Sequence, residues 1–208
     1  MQAALQRSPQ RIGWTAVATA LGIAIVAGAS LAVTAQCLRS SHQRSLRLRE
    51  AKKRYRQLVA ELSECKGILN YMDTEAMPEA QRLADEAHEL STKADGVLAG
   101  AALARVEAIH RELMLTGERL LQLMEKIDGV APALVLDAAQ VEPWAEHDEK
   151  LKTKYMREGL GAAFELAGDL RAIRKGMARK ADRRAQAIDK LKGSVRRLTE
   201  PPESVSVL

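Results

Sequence analysis

Aromatic residues are almost missing from this 208-residue chain, which has one Phe, two Trp and three Tyr. β-Sheets draw heavily on aromatic and β-branched side chains, so a sandwich or barrel is disfavoured. Cysteine is equally scarce. Cys37 and Cys65 stand 28 residues apart with no His beside either, which excludes a disulfide scaffold and a zinc knuckle. His42, His88, His110 and His147 are scattered, with no H-E-x-x-H pair, no G-x-S-x-G elbow and no P-loop. Gly159-Leu160-Gly161 opens like a dinucleotide fingerprint, but Phe164 stands at the third Gly position and no strand precedes it, so it reads as a loose helix turn. Neither an enzyme, a metal site nor a cofactor is expected.

What the sequence has in abundance is Ala, Leu, Glu, Lys and Arg, a helix-forming vocabulary that predicts an all-α protein. Charge is segregated. Residues 39–56 hold eight basic groups and one acidic, 57–170 hold 11 basic and 22 acidic, and 171–197 hold 11 basic and two acidic. A net charge of +5 therefore describes two basic stretches around an acidic body.

No charge occurs from Ile12 to Leu38, a run long enough to cross a hydrocarbon core of about 30 Å as a tilted helix. Eight Lys or Arg residues follow it and only Arg7 and Arg11 precede it, so the body is expected in the cytosol and residues 1–11 outside it. A cleaved signal peptide is the rival, since Ala27-Gly28-Ala29 fits an A-x-A site, but the run is too long and its basic flank resists translocation. A mitochondrial presequence would be amphipathic, which this run is not. The expected layout is a short tail at 1–11, a transmembrane anchor at 12–38 and a basic juxtamembrane segment at 39–56. A helical bundle at 57–198, carrying an inserted loop or helix at about 130–170, and a flexible tail at 199–208 complete it. Cys37, at the boundary, is a position where palmitoylation is chemically reasonable, but an unmodified thiol is the expectation.

Within the body, apolar residues at Leu48, Tyr55, Leu58, Leu62, Cys65, Leu69 and Met72 make one helical stripe, expected to break at Asp73–Pro78. A second stripe runs Leu83, Ala87, Leu90, Ala94 and Val97. A third runs from about Ala101 through Val106, Ile109, Leu113, Leu120, Met124 and Ile127 to the stop at Asp128-Gly129. Residues 130–147 read as a loop. From Asp148 to Leu198 one long helix is expected, with Ile173, Met177, Ala181, Ile188 and Val195 in its apolar stripe and Gly159, Gly161 and Gly168 as weak points. Packed antiparallel, these stripes give a three- or four-helix bundle.

Glu118 and Asp128 lie ten residues apart on the third helix, about 15 Å along its axis. The last helix carries Arg171-Ala172-Ile173-Arg174-Lys175-Gly176-Met177-Ala178-Arg179-Lys180. Together they would offer a surface for a partner with two separated patches of opposite sign. At these residues the sequence resembles a BAG domain, the three-helix bundle that binds the ATPase domain of heat-shock-70 (DnaK-type) chaperones. The resemblance lies in Glu118 to Asp128 with its terminal Ile-Asp, and in Arg171-x-x-Arg174-Lys175-Gly176 with Met177 and Lys180.

It implies that Glu118, Asp128 and Arg174, with Lys175 in support, contact the chaperone's nucleotide-binding lobes and promote nucleotide exchange. Asp182 stands where the family usually has Gln, with Gln186 one turn later. Forty-five residues separate Asp128 from Arg174 where the family has a short loop. Membrane-anchored fungal members share the layout of a span followed by the bundle, so the expected location is the endoplasmic reticulum or nuclear envelope, with the mitochondrial outer membrane as an alternative. The competing function is a membrane-anchored adaptor or tether that pairs with another helical protein. A nucleic-acid binder using 171–197 fits less well, because the acidic body repels phosphate and no aromatic platform accompanies the charges.

Overall fold

A computed structural model describes residues 14–94 and 98–200, with side chains from Val33 onward. The elements in order are α1 (Trp14–Tyr71), a π-helical turn (Met72–Ala76), α2 (Met77–Lys93), α3 (Gly100–Gly129), α4 (Ala133–Ala138), a 3-10 turn (Pro143–Glu146), α5 (Glu149–Arg157) and α6 (Gly161–Thr199). No strand occurs among the described residues, and the all-α class holds. Among those residues no helix is long and apolar enough to cross a membrane. The span expected at 12–38 falls mostly on positions whose side chains lie outside the described residues, as does the tail beyond Glu200.

The chain divides into two compact units at Leu46/Arg47, inside the basic segment. In the first unit every described side chain, from Val33 to Leu46, is exposed on the helix. The second unit, from Arg47 on, holds the core.

That core is built from the expected stripes. Leu58, Leu62, Cys65, Leu69 and Met72 are buried in 4/3 alternation down α1. The expected break at Asp73–Pro78 does not happen. Backbone angles stay helical at Tyr71 and Met77, and the chain passes through one π turn into α2. Pro78 supplies the reason: in the first turn of α2 it has no N–H for the carbonyl four residues back, and the wider turn relieves the ring's clash with that carbonyl.

α3 and α6 run antiparallel beside this rod. Arg105 of α3 makes a bidentate pair with Glu86 of α2 at 2.7 and 3.0 Å, closing the α2–α3 hairpin. Arg184 of α6 pairs with Asp73 in the π turn, and this bond holds the Asp73 carboxyl below its ordinary range. The core has two portions. Ala84, Ala87, Ile109, Leu113, Leu120, Ile188 and Val195 fill the portion around α2. Leu58, Leu62, Leu123, Ile127, Leu136, Leu160 and Leu170 fill the portion around α1.

α3, with 30 residues, is shorter than α6, with 39. It ends near Cys65, whose thiol feels the charge of Lys126, while α1 and α6 continue past it. Residues 130–160 fill the space left there. Val135, Leu136, Val141, Ala145, Tyr155 and Leu160 are all buried against the same core portion as α1 and the start of α6. The inserted segment therefore folds back as a cap.

Two Schellman stops shape that cap, each with a buried contact between the ends of the motif. At the end of α5, Gly159 adopts φ +79° while Leu160 N–H donates to Tyr155. At the end of α4, Val141 N–H donates to Leu136 around Gln140, a non-glycine residue at φ +55°. The single helix expected from Asp148 to Leu198 is thus two helices. Gly159 is the weak point that breaks, and Gly168 lies within α6. Arg171 of α6 pairs with Glu146 in the 3-10 turn, fastening the cap to the bundle and lowering the Glu146 carboxyl.

Candidate functional site

The residues of interest lie on α3 and α6 where the two pack together. Two crossings fix the register. A Cβ on Gly117 would sit 3.6 Å from Ile188 Cγ2 and 3.2 Å from Lys192 Nζ, and Arg174 reaches the last turn of α3. Moving from 117 to 128 on α3 moves backward on α6, as antiparallel packing requires.

Burial sets the orientation of α3. Val106, Ile109, Leu113, Leu120, Leu123 and Ile127 point inward. Met114, Glu118, Leu121, Glu125 and Asp128 follow each other at steps of three or four, so they form one stripe, and all are exposed. Leu121 is 57% exposed and Met114 41%, large apolar side chains among carboxylates. On α6, Leu170, Met177, Ala181, Ile188 and Val195 point inward. Lys175, Arg179, Arg183, Lys190 and Arg197 are exposed on the opposite side. Among the described residues, Arg183 and Arg197 donate only to carbonyls one turn back in their own helix, at 3.2 and 3.1 Å.

Of the expected site residues, Glu118, Asp128, Lys175 and Asp182 are exposed and Arg174 is half-buried. Arg174 and Asp128 do come together, but not through the Asp128 carboxylate. The Arg174 guanidinium donates to the carbonyls of Asp128 at 3.5 Å and Val130 at 3.4 Å. These are among the carbonyls that a helix C-terminus leaves without intrahelical partners, and a cation there also meets the negative end of the helix dipole. Asp182 accepts from Gln186 at 2.9 Å, so the two candidates for the polar contact sit one turn apart on the same face.

Ile173, expected in the core stripe, is 40% exposed, because Arg174 and Met177 define the inward side at this level. The exposed pair Met114 and Leu121 was not singled out from sequence. The signal available was the Leu120-Leu121 doublet, of which a helix can bury only one member in a narrow stripe.

Among the described residues no group of His, Cys, Asp and Glu is arranged to hold a metal ion. A groove of about 460 Å³ between the π turn and α3 is lined by Tyr71, Glu75, Glu79, Leu115 and Arg119. It contains neither His nor Cys, and Glu79 is held by Arg82 at 2.6 Å. No protein-family model, characterised protein or solved structure matches the chain.

Proposed function

We propose that this protein is a membrane-anchored co-chaperone whose α3–α6 face binds the ATPase domain of a heat-shock-70 chaperone and promotes nucleotide exchange. What supports this reading is one arrangement: an acidic stripe containing Glu118 and Asp128 lies on the helix packed antiparallel against the one bearing Arg174 and Lys175. The two ends of the acidic stripe are about 15 Å apart, enough to reach separate patches on one partner. Binding that favours an open form of the nucleotide cleft would speed ADP release without any catalytic group, because a ligand shifts a conformational equilibrium by its differential affinity.

The anchor belongs to the same proposal. Supporting it are the uncharged run from Ile12 to Leu38, the basic residues after it, and Val33 and Leu38, which stand 60% and 71% exposed on α1. The basic flank sets the body on the cytosolic side, and the membrane in this proposal is that of the endoplasmic reticulum or nuclear envelope.

The test is release of labelled ADP from a heat-shock-70 ATPase domain in the presence of the full chain. Acceleration is expected, and Glu118→Ala and Asp128→Ala should each weaken binding by about 2 kcal/mol where the contact is a desolvated charge-assisted hydrogen bond. An unaccelerated release sinks the proposal in favour of the tether, for which the exposed Met114 and Leu121 would serve as apolar contacts with another helix.

A further inference from the structure

The outer side of α6 carries charge of one sign over most of its length. Lys175, Arg179, Arg183, Gln186, Lys190, Gly193 and Arg197 follow each other at steps of three or four, so they form one stripe, and all are exposed. The stripe is straight and about 33 Å long. It lies opposite the buried Met177, Ala181, Ile188 and Val195, and so away from the elements on which α6 packs. Nothing stands beside it: a Cβ built on Gly176 or Gly193 would meet no atom within 4 Å.

The five basic side chains of the stripe find no opposite charge within the chain. The ion pairs of α6 among the described residues are Arg171 with Glu146, Arg184 with Asp73, Lys192 with Asp189 and Arg196 with Glu200, and none uses a residue of the stripe. Arg183 and Arg197 reach only carbonyls of their own helix among those residues. The two carboxylates on one flank are engaged, Asp182 by Gln186 at 2.9 Å and Asp189 by Lys192 at 2.5 Å. Ile173, the large apolar side chain that α6 exposes, lies off the stripe.

We propose that this stripe binds an anionic lipid surface, with the phosphate-bearing headgroups lying along it. Its composition argues against a protein partner, because interfaces between proteins have apolar or aromatic side chains at their centre and the stripe has neither. Its shape argues for a flat array of anions over a nucleic acid. A helix seated in a duplex groove turns both flanks toward phosphate, and one flank of α6 carries Asp182 and Asp189. A helix resting on a flat surface presents its outermost line and holds its flanks away. Phe164 is the aromatic residue of α6 and is buried, so single-stranded bases have no platform on which to stack.

Each Lys or Arg held at an anionic bilayer strengthens binding about fivefold, and a straight stripe brings its charges to one plane together. The inference does not depend on the co-chaperone reading. The stripe lies wholly within the second unit, and of the residues assigned to the chaperone it includes only Lys175.

The test holds the full chain in nanodiscs of phosphatidylcholine, which offer no anionic lipid of their own, and measures co-sedimentation with separate vesicles of phosphatidylcholine, with and without phosphatidylserine. A chain that does not enter the nanodisc is measured in the same way, so failure of the anchor leaves the test intact. The parent should bind the phosphatidylserine vesicles and not the neutral ones, and lose most of that binding in high salt. Arg179→Gln, Arg183→Gln, Lys190→Gln and Arg197→Gln combined should bind about twentyfold more weakly or worse. This variant should melt like the parent, because all four side chains are exposed. Arg179→Lys, Arg183→Lys and Arg197→Lys combined should bind as the parent does, since a surface potential responds to charge and not to the guanidinium fork. Equal binding to neutral vesicles would overturn the lipid surface. So would undiminished binding by the Gln variant, which would move the contact to the basic residues of 39–56, or binding to a short DNA duplex with none to the vesicles. Failure of the co-chaperone reading appears elsewhere, in the ADP-release assay, and leaves these results unchanged.

Discussion

Arg174 on α6 donates to the main-chain oxygens of Asp128 and Val130, so a residue expected to meet a partner closes the C-terminus of α3. The bonds are long and the side chain is half-exposed. Arg174→Ala should cost about 1 kcal/mol of stability through the lost hydrogen bonds and helix-end charge, read as a fall of a few degrees in melting temperature. Asp128→Ala keeps the accepting carbonyl and should leave melting nearly unchanged. A binding defect in Arg174→Ala must therefore be compared with its melting curve, whereas one in Asp128→Ala reports the face directly. Equal melting of Arg174→Ala and the parent would remove the capping role.

Gln140 sits in the left-handed region at φ +55°, where a Cβ crowds the following carbonyl, and its side chain is exposed. Gln140→Gly should stabilise the protein by about 0.5–1 kcal/mol, the relief of strain exceeding the added freedom of the unfolded chain. Gly159→Ala, at φ +79°, should cost about 1 kcal/mol. Opposite signs in chemical denaturation are the expected outcome, and a destabilised Gln140→Gly would disprove the strain at that stop.

Much of this was legible from residue spacing. The stripes Leu58 to Met72 and Val106 to Ile127 are core because a 3/4 repeat of apolar side chains has one way to leave water. The stop at Gly129 was marked by Asp-Gly with Pro132 beyond. What spacing did not reveal were features set by tertiary context. Pro78 ordinarily signals a break, yet the π turn absorbs it because Met72 and Ala80 on either side are both buried and hold the rod together. Residues 130–147 read as a loop because of Pro132, Pro143 and the acidic patch of Glu146, Asp148 and Glu149, although Val135, Leu136, Val141 and Ala145 among them are buried. Glu118 and Asp128 were correctly placed on an exposed face, but no pattern in the sequence tells that the Arg174 guanidinium turns to main-chain oxygens.

Acid should loosen the cap first. The bond from Arg171 holds the Glu146 carboxyl below its ordinary pKa of about 4.3, with burial opposing it. A carboxyl with a depressed folded-state pKa contributes stability that is fully present above the unfolded value and lost as pH falls through the folded one. The stability difference between parent and Glu146→Gln should therefore be constant from pH 7 to about 5 and shrink below about pH 4. Asp73→Asn, which removes the partner of Arg184, should behave the same way with a smaller effect, since both side chains of that pair are more than a third exposed. A difference independent of pH down to 3 would mean that the pair contributes nothing as an ion pair.

Cys65 offers a probe of whether the two core portions open together. Its thiol is buried, and burial pushes its pKa up, so in the folded protein it should resist alkylation while the exposed Cys37 reacts. In a Cys37→Ser chain the labelling rate of Cys65 then measures opening around α1 and the cap. Leu136 lies in that portion and Leu120 in the portion around α2. If the portions opened separately, only Leu136→Ala would accelerate labelling. α3 and α6, however, each contribute buried residues to both: Leu120 and Leu123 lie three apart on α3, and Ala181 and Ile188 seven apart on α6. Opening one portion alone would cut both helices in mid-length and leave four unsatisfied backbone groups at every new end. The chain should instead open as one unit, so Leu120→Ala and Leu136→Ala, each costing about 2 kcal/mol or more, should both accelerate Cys65 labelling about 30-fold or more. Acceleration by Leu136→Ala alone would show that the cap and α1 open while the rest of the bundle stays folded.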